Sequence, residues 1–312
     1  MSATPSFTLV IPTFNEAARL DDGIARLRDA ERRGAVDLST TEVLFVDDGS
    51  TDDTVAAARR HADALADARV LSHPRNLGKG AAVRTGILAA RGSCVVFADA
   101  DMAIDPTLLP HLLAALDLSP IAVGSRAVKG HVDYGSRLRT EAGRAFNLAV
   151  RAVGGVRLAD TQCGFKGFRR GEALLLCQLQ TTRGYAFDVE LLQLARRLEL
   201  EVAVVPVTWL DVPGSSVRVL RDSARMLSDL VAARRRSRWL AVADLDEDVP
   251  GPAPMGTVVV HRSDRRLLCG AVSDLGALRR CLGTAGHPRL LALEDLVALA
   301  PFECVPAPTA TA

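Results

Sequence analysis

Short apolar runs rich in β-branched residues alternate with longer amphipathic stretches through the first two thirds of the chain. Runs of three to five such residues predict buried strands. We expect strands at 7–11, 43–46, 69–71, 94–97 and 121–123. The stretches between them begin and end with capping residues and glycines, which predicts helices at 16–33, 52–66 and 80–91.

This alternation indicates βαβ units, and so an α/β fold with a mostly parallel sheet and helices on both faces. After residue 121 the order changes. Helices are expected at 137–153, 189–198 and 219–236, with strands at 165–168 and 202–205. The chain should therefore hold one main domain at 6–236, a linker at 237–256 and a small C-terminal extension at 257–312. We assign no function to the extension.

Composition narrows the function classes. Among 312 residues, 38 Lys and Arg balance 37 Asp and Glu for a net charge of +1, which disfavours a general nucleic-acid binder. No apolar run approaches the ~20 residues that span a bilayer, and residues 1–7 do not resemble a signal peptide. We expect a cytoplasmic protein without a transmembrane helix. Its six cysteines lack C-x-x-C spacing and are expected to be reduced thiols without a functional role.

Polar residues follow three of the first four predicted strands: 12–16, 47–52 and 99–101. Ligands of parallel sheets bind at such strand ends. In an extended segment Asp99 and Asp101 point to the same side, where two carboxylates can ligate one Mg²⁺ whose other ligands are water and phosphate. A solvated turn explains an Asp-x-Asp tripeptide equally well. A turn followed by a helix cap likewise explains the segment at 47–50, although a carboxylate there could bind a nucleoside.

Four motifs at these strand ends together resemble the family 2 glycosyltransferases of GT-A fold. They are VIPTFNE at 10–16, VDDGSTD at 46–52, NLGKG at 76–80 and ADAD at 98–101, and the resemblance covers about residues 6–236. It implies a Rossmann-like GT-A catalytic domain that binds a nucleotide-sugar donor. By that resemblance the donor nucleoside is held by Pro12, Glu16 and Asp48, its phosphates are reached by Lys79, and Mg²⁺ or Mn²⁺ is bound by Asp99 and Asp101.

Two later segments resemble the branch of this family that transfers a sugar to polyprenyl phosphate, especially the dolichyl-phosphate glucosyltransferases. These are DTQCGFK at 160–166 and YAFDVELL at 185–192. Mannosyl relatives often carry Gln two residues after the second Asp, where this chain has Ala103. The resemblance therefore implies UDP-glucose as donor ahead of GDP-mannose.

A phosphate acceptor is mostly dianionic near pH 7 and needs positive charge more than a general base. The resemblance places acceptor-binding arginines at Arg126, Arg137, Arg139 and Arg218, although solvated arginines are common in this chain. Asp160 matches the acidic position beside the acceptor, with Asp188 as the second candidate for the catalytic carboxylate. A carboxylate that favours the start of a helix explains Asp188 equally well. For a hydroxyl acceptor one of these carboxylates would act as a base, and for a phosphate acceptor Asp160 would orient groups or stabilise positive charge at the sugar. Both roles fit a single in-line displacement with inversion.

The helix expected from residue 219 carries an apolar stripe and ends in the basic segment RRRSRWL at 234–240. One interpretation is peripheral contact with anionic headgroups at the inner membrane face, and the other is packing on the core. Three hypotheses follow: a transferase acting on polyprenyl phosphate, a soluble transferase acting on a diffusible, anionic small molecule, and a nucleotide-sugar-binding protein without turnover.

Overall fold

The computed structural model describes residues 5–126, 150, 155–156, 158–209, 219–237, 242–244, 258–261 and 266–267. The chain divides into two units, Met1–Arg235 and Arg236–Ala312. Apart from residue 150, the helix predicted at 137–153 lies outside the described residues.

A seven-stranded sheet forms the centre of the first unit, with the strand order β3-β2-β1-β4-β6-β5-β7. Only β6 runs antiparallel to its neighbours β4 and β5 within this sheet. The mostly parallel α/β architecture predicted from the sequence is therefore confirmed. The strands are β1 Phe7–Thr13, β2 Thr41–Asp47, β3 Ala68–Ser72, β4 Cys94–Ala98, β5 Ile121–Ser125, β6 Phe165–Arg169 and β7 Val202–Pro206.

Helices connect the strands, and most begin and end close to the predicted residues. Neither α4 nor α5 is predicted by hydrophobic periodicity. Apolar residues stand at consecutive positions in the first, and the second buries five consecutive residues, which hides the helical period in both. The helices are α1 Ala17–Arg32, α2 Thr54–Asp63, α3 Lys79–Ala89, α4 Leu109–Leu118, α5 Arg170–Leu179, α6 Phe187–Arg197 and α7 Val219–Ser237.

Both faces of the sheet are covered, because alternate residues of the central strands point in opposite directions. Leu9 and Phe45 belong to the core cluster shared with α1, α2 and α4. On the other face, Gly86 of α3 lies so close to Val10 and Val46 that a Cβ there would come within 2.3 Å of the Val10 side chain. The Phe97 ring packs against that of Phe187 in α6 at 5.5 Å between centroids. The central strands β1 and β2 are therefore buried along their whole length, up to Thr13 and Asp47.

The second unit contains three short strands: β8 Val242–Asp244, β9 Val258–His261 and β10 Arg266–Leu267. β9 lies between the other two, parallel to β8 and antiparallel to β10. β8 falls within the segment expected to be a linker, so that part of the chain is a strand. In the part of the chain that the structure describes, none of the helices is both long and apolar enough to cross a bilayer.

Candidate active site

A cavity of about 370 Å³ opens at the carboxyl ends of β1, β2 and β4. These strands are adjacent in the sheet, so the polar segments that follow them meet at one edge. All six residues predicted to bind the donor line this cavity: Pro12, Glu16, Asp48, Lys79, Asp99 and Asp101. Further lining residues, which the sequence did not single out, are Thr13, Phe14, Arg19, Asn76, Gly78, Ala82, Ala100 and Tyr185.

Lys79 is the first residue of α3 and its Nζ lies 2.5 Å from Asp99 Oδ1. Burial alone would lower the pKa of Lys79, but the carboxylates of Asp99 and Asp188 outweigh it and raise the pKa. The ammonium is therefore charged at every physiological pH. Gly78 precedes it at φ +105°, and a Cβ there would lie 2.4 Å from the Arg183 carbonyl oxygen. Only glycine fits this turn, which is why Lys79 follows a glycine.

Asp99 and Asp101 follow β4 in a turn closed by the hydrogen bond from the Met102 amide to the Asp99 carbonyl oxygen at 2.9 Å. The prediction of an extended segment here is therefore wrong, although both carboxylates line the same cavity. Burial, and then the charge of Asp99, raise the pKa of Asp101. Asp101 Oδ1 also accepts a hydrogen bond from the Ala103 amide at 3.1 Å. Behind Asp99 lies Gly164, where a Cβ would come within 2.2 Å of Asp99 Oδ2. The backbone at Gly164 therefore sets the position of this carboxylate.

This pair fits a hard divalent cation, because both side chains offer oxygen ligands and their mutual repulsion would be relieved by positive charge. Among the described residues, no group of three or more His, Cys, Asp or Glu side chains forms a metal site. A cation held by two carboxylates leaves several ligand positions for water and for phosphate oxygens. The arrangement suits an ion bound together with a diphosphate.

Glu16, just before α1, is a third carboxylate in the cavity. Burial is the main reason that its pKa rises from 4.5 to about 7; the charge of Arg19 opposes the rise, and those of Asp101 and Asp99 add to it. Arg19 donates a hydrogen bond to Glu16 Oε1 at 2.7 Å and lies 3.9 Å from Asp101 Oδ2. Arg19 follows Glu16 by three residues at the start of α1, and this spacing could have predicted the ion pair from the sequence.

Asp48 lines the cavity, yet its carboxylate is also tied to the neighbouring turn. Its Oδ1 accepts from the Leu77 amide at 2.9 Å, and its Oδ2 accepts from the Gly78 amide at 2.7 Å. His73 Nδ1 lies 2.7 Å from the same Oδ1. The nucleoside contact implied for Asp48 stays a prediction, and the structure adds a contact with the turn that precedes Lys79.

A second cavity, of about 50 Å³, lies on the other side of Asp99. Arg126 on its wall forms a two-pronged ion pair with Asp160, from Nε to Oδ2 at 2.8 Å and from Nη2 to Oδ1 at 3.0 Å. Although burial raises the pKa of Asp160, the hydrogen bonds and charge of Arg126 outweigh it and lower the pKa. The lining consists of Ala98, Asp99, Met102, Ala103, Ile104, Arg126, Gln162, Gly164, Phe165 and Trp209.

The remaining predicted site residues lie elsewhere. Asp188 is buried at the start of α6, 3.2 Å from Lys166 Nζ, and it is not on the wall of either cavity. Burial raises its pKa, against the charges of Lys166 and Lys79. Its catalytic role stays a prediction. Arg137, Arg139 and Arg218 lie outside the described residues.

A segment that the sequence did not single out holds the turn before α3 in place. Glu190 of α6 accepts hydrogen bonds from the Thr181 amide at 3.0 Å and from the Thr182 amide at 2.6 Å. Gln180 donates to the Gly80 carbonyl oxygen at 3.0 Å. The glycines at 78 and 80 hint that a backbone approaches closely here, but they do not reveal which one.

Comparison with known proteins identifies the family to which these motifs and this cavity belong. The model of the family described as "Glycosyl transferase family 2" matches residues 8–174. A dolichyl-phosphate beta-glucosyltransferase of Trichomonas vaginalis is 35% identical over 72% of this chain and 69% of its own. The dolichyl-phosphate beta-glucosyltransferase of Homo sapiens is 34% identical over 75% of this chain and 76% of its own.

Solved structures agree on the fold. Mannosyl-3-phosphoglycerate synthase from Rubrobacter xylanophilus superimposes with a TM-score of 0.55 at 24% identity, covering 75% of this chain and 74% of that one. A mannosyltransferase from Pyrobaculum calidifontis, solved in complex with GDP-Man and Mn²⁺, gives 0.52 at 19% identity over 75% of this chain and 65% of that one. With its motifs, cavity and sheet in agreement, the chain belongs to glycosyl transferase family 2.

Proposed function

We propose that the protein is an inverting glucosyltransferase that moves glucose from UDP-glucose to polyprenyl phosphate. The observation that carries this proposal is the pair of adjoining cavities that share Asp99. One gathers the donor motifs, and the other contains an arginine held by a buried carboxylate. The relatives named dolichyl-phosphate beta-glucosyltransferase support the donor sugar and the acceptor.

The wall of the second cavity favours a lipid phosphate over a polar metabolite. Besides Arg126 it consists largely of apolar side chains, of which Met102, Ile104 and Phe165 are buried and Trp209 is half-buried. A phosphate placed at Arg126 would carry its substituent along this wall, and an isoprene unit suits an apolar surface. Among the described lining residues, a highly polar acceptor such as a phosphorylated acid would find chiefly Asp99, Arg126 and Gln162 as polar partners.

Named residues supply each part of the chemistry. Lys79 would bind the donor diphosphate, and Arg126 the acceptor phosphate, while Asp160 orients the guanidinium. An acceptor oxygen attacks the anomeric carbon as the bond to UDP breaks and its electron pair leaves with UDP. The attacking oxygen is already ionised, so no general base is required. The configuration at the anomeric carbon inverts.

Mg²⁺ or Mn²⁺ is part of this proposal, with Asp99 and Asp101 as its protein ligands. When bound, the ion would neutralise charge on the diphosphate. Support comes from the oxygen ligands of this pair and from the Mn²⁺ in a structural relative. The cytoplasmic location and the peripheral membrane contact stay predictions.

The test is a transfer assay with purified protein, Mg²⁺ or Mn²⁺, radiolabelled UDP-glucose or GDP-mannose, and a short polyprenyl phosphate. We expect label from UDP-glucose in the organic phase, loss of turnover in Asp101→Ala, and in Arg126→Ala a larger rise of KM for the acceptor than for the donor. Arg59→Ala, an exposed change on α2, is the matched control. Label released as free sugar would show hydrolysis of the donor, and transfer to a small phosphorylated molecule added to a parallel assay, without transfer to the lipid, would favour a diffusible acceptor instead. Nucleotide-sugar binding without any transfer would indicate a binding protein.

A further inference from the structure

The turn at 73–78 connects β3 to α3, and the side chain of His73 is one of the groups that hold it. His73 lies in this turn with its ring mostly buried, since its side chain is 10% exposed. Its Nδ1 lies 2.7 Å from Asp48 Oδ1, and its Nε2 lies 2.9 Å from the Thr85 hydroxyl of α3. Because a carboxylate only accepts hydrogen bonds, Nδ1 carries a proton and donates to Asp48. The ring thus joins the end of β2 to α3.

Asp48 passes this restraint on to the residues before Lys79. The carboxylate is 2% exposed and accepts hydrogen bonds from the Leu77 and Gly78 amides as well as from His73. Two routes therefore lead from His73 to Lys79, one through Asp48 and the turn, the other through Thr85 and the helix that Lys79 begins. Without His73, Asp48 would keep the two amide donors of the turn, and with them its predicted contact with the nucleoside, whereas the link from Asp48 through the ring to Thr85 and α3 would be lost.

We propose that His73 is a positioning residue of the donor site, which through Asp48 and Thr85 directs Lys79 toward the donor diphosphate. The proposal for His73 rests on the proposed function, because it takes the ligand of the first cavity to be a nucleoside diphosphate sugar. His73 lies outside the lining of the described cavities and touches no reacting group. Its effect should therefore appear in the binding of phosphate groups and leave nucleoside binding unchanged.

Two variants separate this role from a general loss of structure. His73→Leu keeps the volume and removes both hydrogen bonds, whereas in His73→Asn the amide nitrogen replaces Nδ1 and keeps the bond to Asp48. His61→Leu is the matched control, because His61 Nε2 also lies 2.6 Å from a carboxylate, that of Asp21, away from the cavity lining.

The binding experiment is calorimetric titration of each full-length variant with UDP and with uridine. We expect UDP to bind His73→Leu about tenfold more weakly than wild type and uridine to change less than twofold. His73→Asn, which keeps the bond to Asp48 and loses the one to Thr85, should bind UDP with an affinity between those of wild type and His73→Leu, and His61→Leu should bind both ligands as wild type does. The combination of His73→Leu with Lys79→Met should bind UDP no more weakly than Lys79→Met alone, since His73 acts through Lys79. Equal weakening of UDP and uridine, or unchanged UDP binding in His73→Leu, would overturn the proposal.

A second measurement does not depend on the identity of the donor. Hydrogen exchange of the amides at 77 and 78 should speed up in His73→Leu and stay unchanged in His61→Leu, while the midpoint of global unfolding moves little. Unchanged exchange would also reject the role of His73. If only the proposed function is wrong, wild type will show no glucose transfer, while the amides at 77 and 78 will still exchange faster in His73→Leu.

Discussion

At the scale of single residues, Glu16 is a carboxylate whose surroundings oppose its ionisation. Its pKa of about 7 lies above the ordinary 4.5, so between these values the folded state holds a proton that the unfolded state has released. Folding stability therefore falls as the pH rises from about 5 to 8. We expect Glu16→Gln to flatten this slope in thermal unfolding followed across that range. Glu31→Gln, exposed on α1, should keep the slope of wild type, and an unchanged slope in Glu16→Gln would contradict the buried position.

Gly164 makes a second prediction at this scale. An added methyl group would lie 2.2 Å from Asp99 Oδ2, so Gly164→Ala has to displace the carboxylate by roughly an ångström. We expect turnover to fall about 100-fold with little change in the melting temperature. Gly184→Ala is the control, because its Cβ would find only Asp229 Oδ2 at 3.8 Å. Full activity of Gly164→Ala would mean that the position of Asp99 is not critical.

Residues that carry charge at strand ends could be read from the sequence, and those that hold them in place could not. Asp99, Asp101 and Lys79 come together because strand order follows from the βαβ pattern. His73 and Gln180 act through contacts across more than ten residues of chain, and no local spacing records such contacts. Asp188 is the opposite case. It lies in a motif that the sequence analysis singled out, but the structure places it 3.2 Å from the buried Lys166 and not on the wall of either described cavity.

At the scale of elements, α6 and α3 are joined through the segment at 180–187. The Glu190 carboxylate accepts from both amides at 181 and 182 and from the Thr181 hydroxyl at 2.6 Å. In Glu190→Gln one acceptor oxygen remains and the NH₂ group replaces the other, where it would face a donor such as the Thr182 amide, so we expect a loss of about 2 kcal/mol in the free energy of unfolding. KM for the donor should rise as well, because Gly80 packs on this segment. Urea unfolding and donor kinetics are the measurements.

The exposed Glu201→Gln serves as the control for that change. An unaltered free energy of unfolding in Glu190→Gln would show that solvent replaces these hydrogen bonds at no cost.

Strands with continuous apolar runs and helices with a clear stripe were predicted close to their observed bounds. α4 and α5 were not, because apolar residues stand at consecutive positions in LPHLLAALDL and in the run ALLLC, which therefore show no separate polar face. The three-residue β8 lies near the start of the expected linker, before most of its Asp, Glu and Pro residues, so the linker begins later than predicted. Pairing with another strand decides such cases, and pairing is a property of the fold.

At the scale of the whole molecule, every described residue of the two cavities belongs to the first unit. We therefore expect a chain that ends at residue 237 to fold and to bind UDP with the affinity of the full chain. Circular dichroism and calorimetry measure these properties. A loss of UDP binding in a folded, shortened chain would assign a part of the donor site to the region beyond 237.

The reversed direction of β6 has a consequence for how such enzymes change. Because β6 begins at the edge where β4 ends, the segment at 160–164 reaches Asp99 from the strand's start, while the donor motifs reach it from strand ends. The first cavity includes Tyr185 and the second includes residues of the segment 98–104, so each cavity draws on both stretches of the chain. Under the proposed function, substitution of Arg126, Gln162 or Trp209, which line only the second cavity, would change the acceptor and leave the donor residues unchanged. Variation of the acceptor at a constant nucleotide-sugar site is the expected evolutionary outcome.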